Sequence, residues 1–166
     1  MKIYNSYHDQ LETFKTNHDH QLNMYVCGPT VYNYIHIGNA RPVVFFDTVR
    51  RYFEHKGYQV KYVSNFTDVD DKIIQKALED GVDEMDLANQ YINAYLDDSV
   101  ALNCLTDYIK PRVTEYMEHI IYFIQSLIEK DYAYQVDGDV FFRVEKVKDY
   151  GNLSNRHVED LKSGAR

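Results

Sequence analysis

The apolar positions of the chain change period several times, and each change marks an element. Residues 2–7 and 10–15 alternate over short lengths around His8 and Asp9, which predicts a hairpin with weak turn chemistry. Residues 21–27 end in the run Met24-Tyr25-Val26-Cys27 and stop at Gly28-Pro29-Thr30, the pattern of a buried central strand. Over residues 38–55, Val43, Val44, Phe46, Val49, Tyr52 and Phe53 recur at helical spacing as one amphipathic stripe, and Gly57 ends it. Residues 58–66 return to a strand pattern around Val60, Tyr62, Val63 and Phe66. Strand, helix and strand in this order make a βαβ unit, for which a right-handed crossover is expected.

Thr67 followed by Asp70 resembles a capping box that opens a helix running through Leu78, and Gly81 ends it. Leu87, Tyr91, Ala94, Tyr95 and Leu102 mark one further helix; Val113, Tyr116, Met117, Ile120, Ile124, Leu127 and Ile128 mark another. After Lys130 the texture changes: residues 132–136 and 140–144 flank Asp137-Gly138-Asp139, a strong hairpin signal. Residues 146–166 are polar and carry no closing element. The expectation is an α/β protein with a Rossmann-like parallel sheet over residues 1–130, followed by a distinct hairpin-bearing segment over residues 131–166.

Composition narrows the function. At 166 residues and 45% hydrophobic content the chain can bury a proper core. No apolar run approaches the roughly 18 residues of a membrane span, and the N-terminus lacks the pattern of a secretory signal, so a cytoplasmic protein with no membrane partner is expected. A net charge of −8 excludes a general phosphate-binding sleeve and leaves any nucleic-acid contact local. Cys27 and Cys104 are too few for a disulfide framework or a four-cysteine zinc site. The 16 tyrosines are scattered over every element, as core and boundary residues are, rather than gathered into a base-stacking platform.

The candidate chemistry lies in residues 27–42, at the turn from the first βαβ strand into its helix, where α/β folds present ligands to a helix N-terminus. His36 and Asn39 can donate hydrogen bonds there, and Gly38 has no side chain to keep a base or phosphate at a distance, which suits ATP. The P-loop spacing is absent. The simpler reading stands beside this one: His36 caps its own helix and Gly38 is a turn glycine. Asp68, Asp70 and Asp71 read as acids in a helix's first turn, favoured there by the macrodipole, rather than as a magnesium cluster. Cys104, in a helix pattern, reads as core.

Longer strings add a resemblance. His36-Ile37-Gly38-Asn39, nine residues after Cys27, resembles the HIGH signature of class I aminoacyl-tRNA synthetases. The preceding run from Tyr25 through Cys27-Gly28-Pro29-Thr30 to Tyr32 is similar to the version in the cysteinyl-tRNA synthetase family. The last position of the signature is Asn39 rather than histidine, a variant that family tolerates. The block Asn65-Phe66-Thr67-Asp68-Val69-Asp70-Asp71-Lys72-Ile73 also resembles the family, as do Pro111-Arg112-Val113, the Gly138-Asp139 hairpin, Tyr150-Gly151 and Gly164-Ala165-Arg166, in the same order.

The resemblance implies the first half of a class I synthetase catalytic domain, a Rossmann-like nucleotide fold, plus the start of its connective insertion. It implies ATP-dependent activation of L-cysteine to cysteinyl-adenylate, with Mg2+ accompanying ATP, and transfer to tRNA(Cys). It assigns His36, Gly38 and Asn39 to ATP, with His36 and Asn39 stabilising the reacting phosphates. It puts Cys27, Gly28, Thr30, Asn65 and Thr67 around the cysteine and adenylate. Cys27 would be one ligand of a zinc ion that selects cysteine through its sulfur, because zinc prefers a soft thiolate to a hydroxyl. The family's other zinc ligands, its second Rossmann half and its Lys-Met-Ser-Lys-Ser loop are not among these 166 residues. The chain alone is therefore expected to be inactive and to bind zinc weakly, with a C-terminal half as the partner that completes it. The same motifs admit a related ligase that joins cysteine to an amino sugar through the same adenylate.

Overall fold

The structure, a computed structural model, describes residues 1–155; the Gly164-Ala165-Arg166 motif lies outside the described residues. The chain divides into two compact units, Thr16–Met117 and Met1–Lys15 with Glu118–Arg166. The second unit opens with β1 (Lys2–Asn5) and β2 (Gln10–Thr13), an antiparallel pair with Asn5 opposite Gln10. Side chains hold the turn whose residues are weak turn formers. Asn5 Oδ1 accepts from the Tyr7 N–H at 3.0 Å, the His8 ring meets the Glu12 carboxylate at 2.6 Å, and the Tyr4 hydroxyl donates to Asp9.

The unit Thr16–Met117 is the α/β body. β3 (Gln21–Val26), α1 (Ile37–His55) and β4 (Gln59–Ser64) form the expected βαβ arrangement, the strands parallel with Gln21 opposite Gln59 and Val26 opposite Ser64. Residues 21–27, expected as a buried central strand, pair with β4, and among the described residues β4 has a neighbour on each edge. On its far side Ser64 N–H donates to the Ile109 carbonyl at 3.0 Å and Phe66 N–H to the Pro111 carbonyl at 2.9 Å, so residues 109–112 act as a third parallel segment. Among the described residues β3 is paired along one edge, and its side chains alternate between exposed and covered. Its apolar run mimics a doubly covered strand only because Tyr25, which is exposed, is counted as apolar; its hydroxyl instead donates to Asn65.

α2 (Asp71–Asp80) and α3 (Glu84–Ala101) pack together over a cluster of Val31, Phe66, Ile73, Ala77, Leu87, Ala88, Tyr91, Ile92 and Tyr95. The cap of α2 is corrected. Asp70, not Thr67, accepts the first amide, from Lys72 N–H at 3.0 Å, while Thr67 is drawn into pairing with Thr30. Asp68 stands outside the first turn. It is 2% exposed, and its carboxylate accepts from Thr114 N–H at 3.1 Å and Thr114 Oγ1–H at 2.6 Å, so of the three acids only Asp71 lies within the turn. Gly81 ends α2 at φ 67°, a left-handed cap that favours glycine. Cys104 is buried, as expected of a core residue, but it lies past the end of α3 rather than in a helix.

Charged side chains anchor α1. Buried Arg50 bonds Glu54 at 2.8 Å and grips Asp107 with both terminal nitrogens, and that bond holds the Asp107 carboxyl below its ordinary range. Asp47 takes Arg51 Nε–H at 2.7 Å and Leu105 N–H at 2.9 Å. The C-terminal half of α1 is thereby tied to residues 105–107 by the Arg50–Asp107 ion pair and the Asp47–Leu105 hydrogen bond, a geometric constraint that holds whether or not the ion pair adds net stability.

The chain continues through a 3-10 turn (Thr114–Tyr116) into α4 (Met117–Glu129), then β5 (Ala133–Val136) and β6 (Asp139–Phe142). Asp137 at φ 50° and Gly138 at φ 96° make the two-residue hairpin loop that the Asp-Gly pair announced. The second hairpin strand, expected to reach residue 144, ends at Phe142, and short 3-10 turns follow at Val144–Lys146 and Asn152–Ser154. No helix among the described residues is long and apolar enough to cross a membrane.

Three tyrosines report on this packing. The Tyr62 and Tyr108 rings stack at 4.8 Å beside Tyr95, and burial pushes Tyr62 up to about 12 and also raises Tyr95 and Tyr108. The unfolded chain releases these protons from about pH 10 while the folded chain retains them. The stability they carry is therefore intact below about pH 10 and is lost as pH rises through about 12. An ultraviolet tyrosine titration should show a late fraction that ionises together with loss of circular dichroism. A single tyrosine transition near pH 10 in the folded chain would contradict the packing.

Candidate active site

The site forms where β3 and β4 end side by side. Gly28 and Asn65 pass so closely that a Cβ on Gly28 would lie 1.6 Å from the Asn65 carbonyl oxygen. Gly28 is therefore glycine because of a backbone approach. The Asn65 side chain closes the join: its Oδ1 accepts from Gly28 N–H at 3.0 Å and from the Tyr25 hydroxyl at 2.9 Å, and its Nδ2 donates to Thr67 Oγ1 at 3.3 Å. One residue further, Thr67 N–H donates to the Pro29 carbonyl and Val31 N–H to the Thr67 carbonyl, both at 3.1 Å. Thr30 and Thr67 thus extend the parallel pairing past the strand ends.

The turn then delivers the chain to the N-terminus of α1. His36 is the N-cap, its Nδ1 accepting from Gly38 N–H at 3.0 Å, and Asn39 Oδ1 accepts back from His36 N–H at 3.3 Å. The capping role of His36 is therefore realised. It also fixes the chemistry of both side chains: with Nδ1 accepting, the imidazole carries its proton on Nε2, and Asn39 keeps its Nδ2 hydrogens for donation. A Cβ on Gly38 would sit 2.6 Å from His36 Cε1, so this glycine makes room for the capping ring. The first turn of α1 holds no acid, whereas α2 has Asp71 there and α3 has Glu84 and Asp86. The positive end of the α1 dipole is thus left without a carboxylate to offset it.

A pocket of about 110 Å³ opens here, lined by Cys27, Gly28, Gly38 and Asn39 from the sequence-derived set, and by Val26, Pro29, Pro42, Val43, Tyr62, Ser64 and Tyr95. His36, Thr30, Asn65 and Thr67 do not line it; they brace its walls. Sequence reasoning missed Tyr62, Ser64 and Tyr95. The first two stand two residues apart on β4 and so share a face, a signal that was present, whereas Tyr95 arrives from α3 through tertiary packing alone.

Zinc can be tested against these residues. Cys27 is exposed, and its thiol makes one weak contact, 3.8 Å to the Gly28 carbonyl. Among the described residues no three His, Cys, Asp or Glu side chains come together to hold a metal. A single thiolate falls short of the four ligands of a zinc centre, so the described residues do not build one and no step below runs through it.

A parallel strand pair whose crossover helix presents a capped, uncompensated N-terminus to a pocket is the arrangement with which α/β proteins bind nucleotides. Comparison with known proteins makes that class specific. The family described as "tRNA synthetases class I (C) catalytic domain" matches residues 13–166, and the chain belongs to it. It is 57% identical over its whole length to a Cysteine--tRNA ligase of Lysinibacillus sphaericus and 54% identical to one of Anoxybacillus flavithermus, and it covers 36% of each. The chain thus spans about a third of the length of the curated relatives it matches. Among solved structures, Mycobacterium tuberculosis methionyl-tRNA synthetase in complex with methionyl-adenylate matches with a TM-score of 0.54 at 19% identity, covering 73% of this chain and 29% of that one. At that identity the likeness concerns the fold.

Two outcomes follow from the site. Gly28→Ala forces Asn65 away from β3 and should lower unfolding free energy by about 3 kcal/mol, the upper range for overpacking, as read from urea denaturation. An unchanged midpoint would contradict the close approach. Elemental analysis of the purified chain should find zinc far below one atom per chain; stoichiometric zinc would show that these residues suffice.

Proposed function

We propose that this chain is the first part of an enzyme that activates L-cysteine with ATP and transfers it to tRNA(Cys). In this reading residues 1–130 are the first half of the nucleotide-binding domain and residues 131–166 open its connective insertion, a division by role that falls one helix beyond the compactness boundary at Met117. The observation that carries the proposal is the N-terminus of α1: a His36–Asn39 capping box over a first turn free of acids, beside the pocket containing Cys27. Family membership and the Cysteine--tRNA ligase relatives support the substrate.

The chemistry asked of these residues is modest. A carboxylate oxygen of cysteine attacks the α-phosphorus of Mg2+-bound ATP, the bond to the bridging oxygen breaks, and pyrophosphate leaves. The nucleophile is already an anion, so no general base is needed. Catalysis here is positioning and stabilisation of charge that builds on phosphate oxygens. His36 Nε2–H and Asn39 Nδ2–H are the donors for those oxygens, and the α1 dipole adds to them. Gly28, Asn65, Thr30 and Thr67 keep the two strand ends in register so that amino acid and nucleotide meet, with Cys27 at the amino-acid side.

The test is cysteine-dependent ATP–pyrophosphate exchange. The 166 residues alone should give none above background. Fused in frame to the part of the Lysinibacillus sphaericus relative that follows its matched segment, they should exchange, and His36→Ala should reduce the rate roughly 10²–10³-fold. Transfer should then be seen to tRNA(Cys) and not to an amino-sugar acceptor; the reverse preference would redirect the assignment to the amino-sugar ligase.

A further inference from the structure

Among the described residues the buried polar and charged side chains are Asp47, Arg50, Ser64, Asp68 and Ser99. Four of them are satisfied: the bonds of Asp47, Arg50 and Asp68 are given above, and the Ser99 hydroxyl donates to the Tyr95 carbonyl at 2.7 Å. Ser64 is the exception. It is 5% exposed and its N–H is taken by the Ile109 carbonyl, yet its hydroxyl has no hydrogen-bond partner among the described residues. A hydroxyl removed from bulk water costs free energy unless something bonds it, so an unsatisfied one points to a missing partner. The group is not sealed in. Ser64 lines the pocket beside Cys27, and Gly28 keeps that side open, since a Cβ there would stand 3.2 Å from Ser64 Oγ. None of the steps above uses this hydroxyl.

We propose that Ser64 is a substrate-binding residue whose hydroxyl donates to one carboxylate oxygen of the amino acid, leaving the other oxygen free to attack ATP. This rests on the function proposed above. Three observations select a carboxylate. The pocket, about 110 Å³, is smaller than the cavity of about 150 Å³ that takes a benzene ring, so it has room for a carboxylate and its Cα but not for a purine. No lining side chain is charged, and the pocket meets the start of α1, where no acid offsets the positive end of the dipole, so an anion is favoured over the amino acid's ammonium group. Asn39, the donor assigned above to the phosphates, lines the same pocket, so a carboxylate held by Ser64 lies on the side from which it must attack. The walls are braced: Tyr62 stacks on Tyr108 at 4.8 Å, and Tyr95 meets Phe66 edge-on at 5.3 Å. When the attacking oxygen bonds the α-phosphorus and pyrophosphate leaves, the held oxygen becomes the neutral carbonyl of the adenylate. The bond from Ser64 is therefore strongest to the free amino acid, whose carboxylate is charged.

The experiment compares the fusion to the Lysinibacillus sphaericus segment described above with its Ser64→Ala form. Loss of the hydroxyl should raise the KM for cysteine about 10- to 100-fold, the range of a hydrogen bond to a charged acceptor, with kcat within about threefold and the KM for ATP unchanged. Cysteamine, which is cysteine without its carboxylate, serves as a competitive inhibitor, and its Ki should be the same for both proteins. The urea midpoint of residues 1–166 should not fall on substitution, since no group within the chain loses a bond. An unchanged KM for cysteine overturns the inference and leaves the hydroxyl facing water. A raised KM for ATP overturns it in favour of a phosphate oxygen, and a Ki for cysteamine that rises in step with the KM for cysteine does so in favour of the ammonium or thiol. In each of these cases the parent fusion still exchanges, and the proposed function stands. A parent fusion without exchange overturns the proposed function and this inference with it.

Discussion

The site depends on one close approach, that of the Gly28 backbone to the Asn65 carbonyl where β3 and β4 end. Strands in a sheet normally diverge as they leave it, because nothing pairs their loops. Here the absent Cβ lets the two chains stay together, and Asn65 occupies the freed edge with bonds to Gly28, Tyr25 and Thr67. The Pro29–Thr67–Val31 bonds then carry the pairing onward. Apart from Tyr95, which comes from α3, every side chain assigned to the site lies within a few residues of this join or is delivered from it by the turn into α1.

A second constraint works from the other end of α1. The Arg50–Asp107 and Asp47–Leu105 contacts fix the C-terminal half of the helix, and the capping box fixes its start. A helix held at both ends presents its N-terminal donors in one orientation, and preorganisation of donors is what makes them effective against charge that develops in a reaction. The same logic applies to Asp68, whose two bonds from Thr114 hold the segment after Thr67 against residues 109–114. These polar contacts are few, and each sits where an element must stop moving for the pocket to keep its shape.

Much of this was legible from the chain. The 3.6-residue stripe of α1, the alternation of β4 and the Asp137-Gly138 loop appear where the pattern places them, since each follows from local stereochemistry. The rest has a common cause. β4 takes its second neighbour from residues 109–112, 45 or more positions further along, which no local pattern in β4 announces. Thr67 looked like a cap because its spacing to Asp70 fits, but pairing with Thr30 claimed its backbone first. Gly28 and Gly38 both line the pocket, and each also leaves room for a contact with another part of the chain that its own residue type does not announce.

The sequence by itself determined the elements, the family and the set of residues able to do chemistry, because hydrophobic period, capping chemistry and motif spacing are local quantities. Only the tertiary structure decided which of those residues line the pocket and which brace it, and that Tyr62, Ser64 and Tyr95 join the lining. Those outcomes depend on distances between segments far apart in the chain, and such distances are set by packing and by strand pairing rather than by any residue's own preference.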